Sequence, residues 1–187
     1  MNYIRLYVLG VFIVIAHNTI AQSYNKYEVP NFNIEFKYPE NWLLETNSIY
    51  EGSNKSINFI YLYSPEYEKN NRDEFSKEFV VIAFEIENLG GKTKTLEQEM
   101  KDFVNLWIEF HEITGLPLFK ITIKKETELL RNRACWITYP TDYGTCHTIF
   151  TVIGNYKYSL SLQGSDVNNK QYMSVYTTVL ESLKLIK

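Results

Sequence analysis

One change of hydrophobic period organises this chain. Phe32, Ile34, Phe36 and Tyr38 alternate with Asn33, Glu35 and Lys37, the period of two expected of a strand with one buried and one wet face, and Pro39 ends the run. Ser56–Ser64 and Glu78–Glu87 are β-branched and aromatic runs separated by polar Pro65–Ser76, which predicts two strands joined by a long exposed hairpin loop. The period then lengthens. Leu96, Met100, Phe103, Trp107 and Phe110 recur every three or four residues, which predicts a helix from Thr95 to Ile113 with these five on its buried stripe. Thr95 followed by Gln98 has the form of a capping box, and Gly115 with Pro117 marks the stop. Glu97, Glu99, Asp102, Glu109 and Glu112 are assigned to the helix's solvated face.

Alternation returns in Leu118–Leu130, and Arg133–Tyr139, Thr145–Ile153 and Tyr156–Gln163 follow as three consecutive antiparallel strands. Gly154-Asn155 is a two-residue hairpin loop with Gly where a positive φ is needed. Pairing Ile153 with Tyr156 brings Thr151 to Tyr158 and Ile149 to Leu160 on one face, and Val152, Phe150 and Thr148 to Lys157, Ser159 and Ser161 on the other. A second helix is expected over Lys170–Ser182, with Tyr172, Val175, Tyr176, Val179 and Leu183 inward, then a short strand at Leu185-Ile186. Strands on both sides of one helix and a closing helix predict an α+β fold: an antiparallel sheet with helices on one or both faces, formed by residues 22–187 as a single domain.

Three segments carry a resemblance. FKYPENW (Phe36–Trp42), NYKYSLSLQG (Asn155–Gly164) and VLESLKL (Val179–Leu185) resemble the PsbP-like fold family, which includes the extrinsic PsbP proteins of photosystem II, Ran-binding proteins of the same fold and DcrB-like bacterial envelope proteins. The resemblance implies an α/β/α sandwich and a mostly non-catalytic group whose members bind or support other proteins. It transfers no binding residue to a position here.

Residues 1–21 are expected to lie outside the fold. Arg5 precedes the apolar run Leu6–Ala16, and Thr19-Ile20-Ala21 places small residues before Gln22, the three regions of a secretory signal peptide cleaved after Ala21. An uncleaved anchor helix is the alternative; after cleavage no stable membrane span remains. The leader holds one base and no acid, so the net charge of −3 becomes −4 without it. That charge argues against nucleic-acid binding by bulk positive charge, and 16% aromatic residues argue against a disordered chain.

Cys135 and Cys146 flank Pro140–Gly144. Pairing Thr138 with Tyr143 sets them opposite each other, within reach of a disulfide at a non-hydrogen-bonded pair, and export favours the bridge. A shifted register would leave two buried thiols. His147 and Cys146 cannot form a dyad, because neighbours on a strand point to opposite faces; His147 is read as a hydrogen-bonded core or boundary residue. His111-Glu112 opens a zinc-protease motif whose second histidine would fall on Gly115. Gly90-Gly91-Lys92-Thr93 resembles the end of a phosphate loop, but Ile86 stands where the first glycine is required. Glu85 and Glu87 share one face of a strand at glycosidase-like spacing, and are read as a wet strand face. No G-x-S-x-G elbow is present.

Two surfaces remain as candidates for a partner: a basic edge made by Lys120, Lys124, Lys125, Arg131 and Arg133, and Tyr67 at the head of the Pro65–Ser76 loop. The expectation is an exported, cofactor-free binding or accessory protein whose partner is another protein of the cell envelope. An envelope chaperone or immunity-type inhibitor, and an exported hydrolase with an unrecognised acidic site, are the alternatives.

Overall fold

The computed structural model describes residues 23–51, 55–69, 78–92, 94–114, 121–141 and 144–186. The expected leader therefore lies outside the described residues. Among the described residues, ten strands and three helices follow in the order β1 (Tyr24–Val29), β2 (Ile34–Pro39), β3 (Leu43–Glu51), β4 (Lys55–Tyr63), α1 (Glu66–Lys69), β5 (Val81–Asn88), α2 (Leu96–Thr114), β6 (Thr122–Leu129), β7 (Asn132–Thr141), β8 (Gly144–Ile153), β9 (Tyr156–Gln163), α3 (Asp166–Ser182) and β10 (Lys184–Leu185). They form two antiparallel sheets: seven strands in the order β3-β4-β5-β9-β8-β7-β6, and three in the order β1-β2-β10.

Alternation explains how the large sheet is covered. Ile82, Phe84 and Ile86 of β5 pair with Leu162, Leu160 and Tyr158 of β9, and all six are buried on one face with Val175, Tyr176 and Val179 of α3. Removing each such aliphatic side chain from water contributes about 1.5–3 kcal/mol. The small sheet packs on this same face, where Phe36 meets Phe84 edge-on at 6.1 Å between ring centroids. The opposite face carries α2, whose Leu96, Met100 and Phe103 lie over Cys135, Ile137 and Phe150. Layers on both faces of a central antiparallel sheet are the expected α+β sandwich.

The hairpin register around Gly154-Asn155 is as the alternation requires, from Ile153↔Tyr156 through Ile149↔Leu160, with Gly154 at φ 61°. The capping box is reciprocal: Thr95 N–H donates to Gln98 Oε1 at 2.8 Å, and Gln98 N–H donates to Thr95 Oγ1 at 3.2 Å. α3 begins four residues before the expected Lys170, because the Ser165 hydroxyl accepts from Asn168 N–H as an N-cap. β1 and β3 were not expected from alternation. β3 reads as polar because five of its nine residues, Thr46–Tyr50, are exposed.

Three expectations are corrected. The β7–β8 ladder pairs Thr138 with His147, not Tyr143, so Cys135 faces Phe150 and Cys146 faces Tyr139. The two cysteines are buried thiols, not a disulfide. Tyr67 is not a surface residue: it is 2% exposed, stacked on Tyr63 at 4.0 Å and edge-on to Phe79 at 4.9 Å, because the chain leaving β4 turns at once into α1 and folds the ring back on the strand. Phe110 is half exposed, not buried, because α2 carries its apolar stripe beyond the sheet that its first turns cover.

Candidate functional site

The face of the large sheet turned toward α2 is apolar at both ends and polar between them. The β7–β8 end holds Cys135, Ile137 and Phe150, and the β4 end holds Tyr63, Tyr67 and Phe79. Between these, β5 presents Glu85 and Glu87, β9 presents Lys157, Ser159 and Ser161, and β8 presents Thr148, since Glu85↔Ser159, Glu87↔Lys157 and Thr148↔Ser161 are cross-strand partners. Strand alternation alone puts these side chains on one face.

α2 closes over that strip. Glu99 projects inward from its first turns and is buried, and it completes a chain of alternating charge. Lys157 Nζ lies 2.9 Å from Glu87 and 3.5 Å from Glu99; Lys94 Nζ lies 2.7 Å from Glu99 and 2.8 Å from Asp102. Hydrogen bonds to Asp102 and Glu99 raise the Lys94 pKa. Burial by itself would lower that of Lys157, but the charges of Glu87, Glu99 and Glu85 outweigh it and leave it raised. Both lysines are therefore fixed cations.

Glu85 differs from its neighbours. Burial pushes its carboxyl above the ordinary range, while the Lys157 charge and a long 3.4 Å hydrogen bond from the Ser159 hydroxyl pull the other way without prevailing. Beside it the Thr148 and Ser161 hydroxyls bond at 2.9 Å. These groups line a cavity of ≈ 130 Å³ closed by Phe103 and Tyr139. A larger groove of ≈ 510 Å³ runs along α2 past Asp102, Asn105 and Glu109, and the two share Glu99, Phe103 and Lys157 as their common wall. Glu85 and Glu87 are thus the floor of a cleft, not a wet strand face.

Glu99 lies on the inward side of its helix, not on the solvated face expected for it. It stands three residues after Leu96 and four before Phe103, so helical spacing alone places it on the inward stripe. Ser159, Ser161 and Thr148 alternate with Leu160, Leu162 and Ile149, and that small-polar row was the legible signal for the floor.

The remaining expected residues lie elsewhere. Lys124 and Lys125 are on β6, the edge strand, where the ladder to β7 shifts register between Lys124 and Thr127; Lys120 is outside the described residues. An edge that carries lysines and a bulge resists pairing with another chain. His147 Nδ1 lies 3.2 Å from Thr138 Oγ1, and its ring meets Trp136, consistent with a boundary histidine. Among the described residues no group of three His, Cys, Asp or Glu side chains is placed to hold a metal ion. None of the described helices is long and apolar enough to cross a membrane.

No protein-family model matches the chain, and no curated protein matches its sequence. Its structure is similar to the solution structure of cyanobacterial PsbP (CyanoP) from Synechocystis sp. PCC 6803, with a TM-score of 0.56 and 14% identity over 96% of this chain and 97% of that one. The fold is PsbP-like.

Proposed function

We propose that this protein is an exported, non-catalytic accessory domain that docks on another protein of the cell envelope through the C-terminal half of α2. The observation that carries the reading is a stripe of large apolar side chains in water: Leu106 is 65% exposed, Phe110 50% and Ile113 78%. Their spacing of four and three residues puts them on one helix face, the pattern by which a helix presents anchors to a groove. Water-exposed apolar side chains clustered in this way mark an interaction surface. Glu109 and Glu112, exposed beside the stripe, would form an acidic rim. The signal-peptide pattern of residues 1–21 supports export, and the PsbP-like fold is compatible with an accessory role.

A chaperone or immunity-type inhibitor would use the same stripe and differ in partner range. A hydrolase is favoured by a different feature, the buried Glu85 carboxyl beside a cavity, although its neighbour Glu87 is engaged by Lys157.

Capture from the native envelope fraction with the protein and with a Leu106→Lys, Phe110→Lys, Ile113→Lys variant tests the reading. A defined species held by the former and lost by the latter is expected. Retention of many unrelated unfolded proteins would point to the chaperone, and identical capture by both forms would sink the docking surface.

A further inference from the structure

We propose that the cleft between α2 and the seven-stranded sheet is a binding site for an uncharged oligosaccharide, with one ring seated over Glu85, Ser159 and Ser161 and the rest of the chain running along α2. The inference rests on the polar lining of the cleft and not on the docking reading, although Leu106 of the exposed stripe also lines the groove.

Three properties of the cleft select the ligand. Its shape is two-part, with an inner cavity of ≈ 130 Å³ opening into a groove of ≈ 510 Å³ through shared walls. The groove is within the range of small-molecule sites, and a second compartment next to the inner cavity leaves room for more than one linked unit. The lining is next. Hydroxyls from Ser159, Ser161, Thr148 and Tyr139 stand among carboxyls and ammonium groups, and Phe103 offers an apolar ring at the neck. A sugar presents hydroxyls that donate and accept together, and an apolar C–H face. Such a mixed wall satisfies both, whereas an aliphatic ligand would leave buried polar groups unpaired.

Charge supplies the third. Even without Glu85, the carboxylates of Glu87, Glu99, Asp102 and Glu109 outnumber Lys94 and Lys157, so anions are repelled. A cation meets Lys157 at the neck, with Glu87, Glu99 and Asp102 already ion-paired inside the chain. The ligand left is neutral and polar. Glu85 fits it: burial favours its uncharged form, which both donates and accepts, and its one long hydrogen bond from Ser159 is weak enough to exchange for a ligand hydroxyl.

The test is titration of the protein with cellohexaose, maltohexaose and N-acetylchitohexaose in turn, followed by calorimetry and by amide chemical shifts. At least one is expected to bind, with shifts confined to α2 and to the strands that line the cleft, β5, β7, β8 and β9. Glu85→Met keeps the side-chain length and removes a buried ionisable group, so it should fold; it and the Ser159→Ala, Ser161→Ala double variant should weaken binding about tenfold or more. Tyr50→Ser, on the far β3–β4 hairpin, should leave it unchanged. The proposal is overturned if none of the three sugars binds at about 10 mM, a concentration that would still reveal contacts of a few kcal/mol. Undiminished affinity in the Glu85→Met variant would overturn it equally, and so would tighter binding of an oligogalacturonate or of spermidine than of every neutral sugar.

Discussion

Cys146 stands opposite Tyr139 across the β7–β8 ladder, and that pairing places it four positions along the strand from Phe150, the residue opposite Cys135. At about 3.3 Å per residue the offset is roughly 13 Å, far beyond the ~7 Å that a disulfide can span between Cα atoms. An offset of four keeps both thiols on the α2 face, so burial is retained while the bridge is lost. Burial also raises the Cys146 pKa, which makes this thiol a poor nucleophile. Two thiols per chain should therefore titrate after denaturation without reductant, and a reductant should leave the melting temperature unchanged. A drop in melting temperature on reduction would show that the ladder has the other register.

Glu85 sets a pH dependence of stability with a definite sign. Its folded pKa lies above its unfolded value, chiefly through burial, so the folded state binds more protons. Stability is then fully present below the ordinary carboxylate range and declines as pH rises through the folded value. Glu85→Gln should match the parent at the acidic end and exceed it at neutral pH. Denaturant melts at both pH values read the difference; a gap that is the same at both would mean that Glu85 ionises as freely as an exposed carboxylate.

The α2 stripe should be silent in stability. Leu106→Lys, Phe110→Lys and Ile113→Lys each replace a water-exposed side chain and should change stability by no more than about 0.5 kcal/mol. Ile149→Ala, at a fully buried position of β8, should cost about 2–5 kcal/mol. Urea midpoints of the four variants test the contrast, and a large loss from a stripe substitution would show that those residues hold the fold.

The cap of α2 connects local structure to the cleft. Thr95→Ala removes the acceptor for Gln98 N–H and should cost about 1 kcal/mol. Because Lys94 and Glu99 flank this turn and wall the cleft, amide exchange should quicken in the first turns of α2 and not in α3. Uniform quickening in both helices would instead indicate global destabilisation.

Much of the fold could be read from local pattern, for reasons that the structure makes plain. The β8–β9 register followed from Gly154 and the alternation on either side, since a short turn leaves little freedom in pairing. Over Pro140–Gly144 the local pattern does not fix the turn, and there the expected register differs from the ladder, which pairs Thr138 with His147 and Thr141 with Gly144. Tyr67 shows a second limit: a polar stretch read as a loop begins with a helical turn, and only packing on Tyr63 and Phe79 decides that its ring is inside.

The sequence by itself determined the elements, the alternation that separates Ile149, Leu160 and Leu162 from Thr148, Ser159 and Ser161, and the capped start of α2, because these depend on residues close along the chain. The tertiary structure decided which face each row meets. Glu85, Glu99 and Lys157 become one site only because β5 pairs with β9 and α2 crosses above both, and burial among those distant neighbours, which no local window contains, turns a wet-looking row into the floor of a cleft.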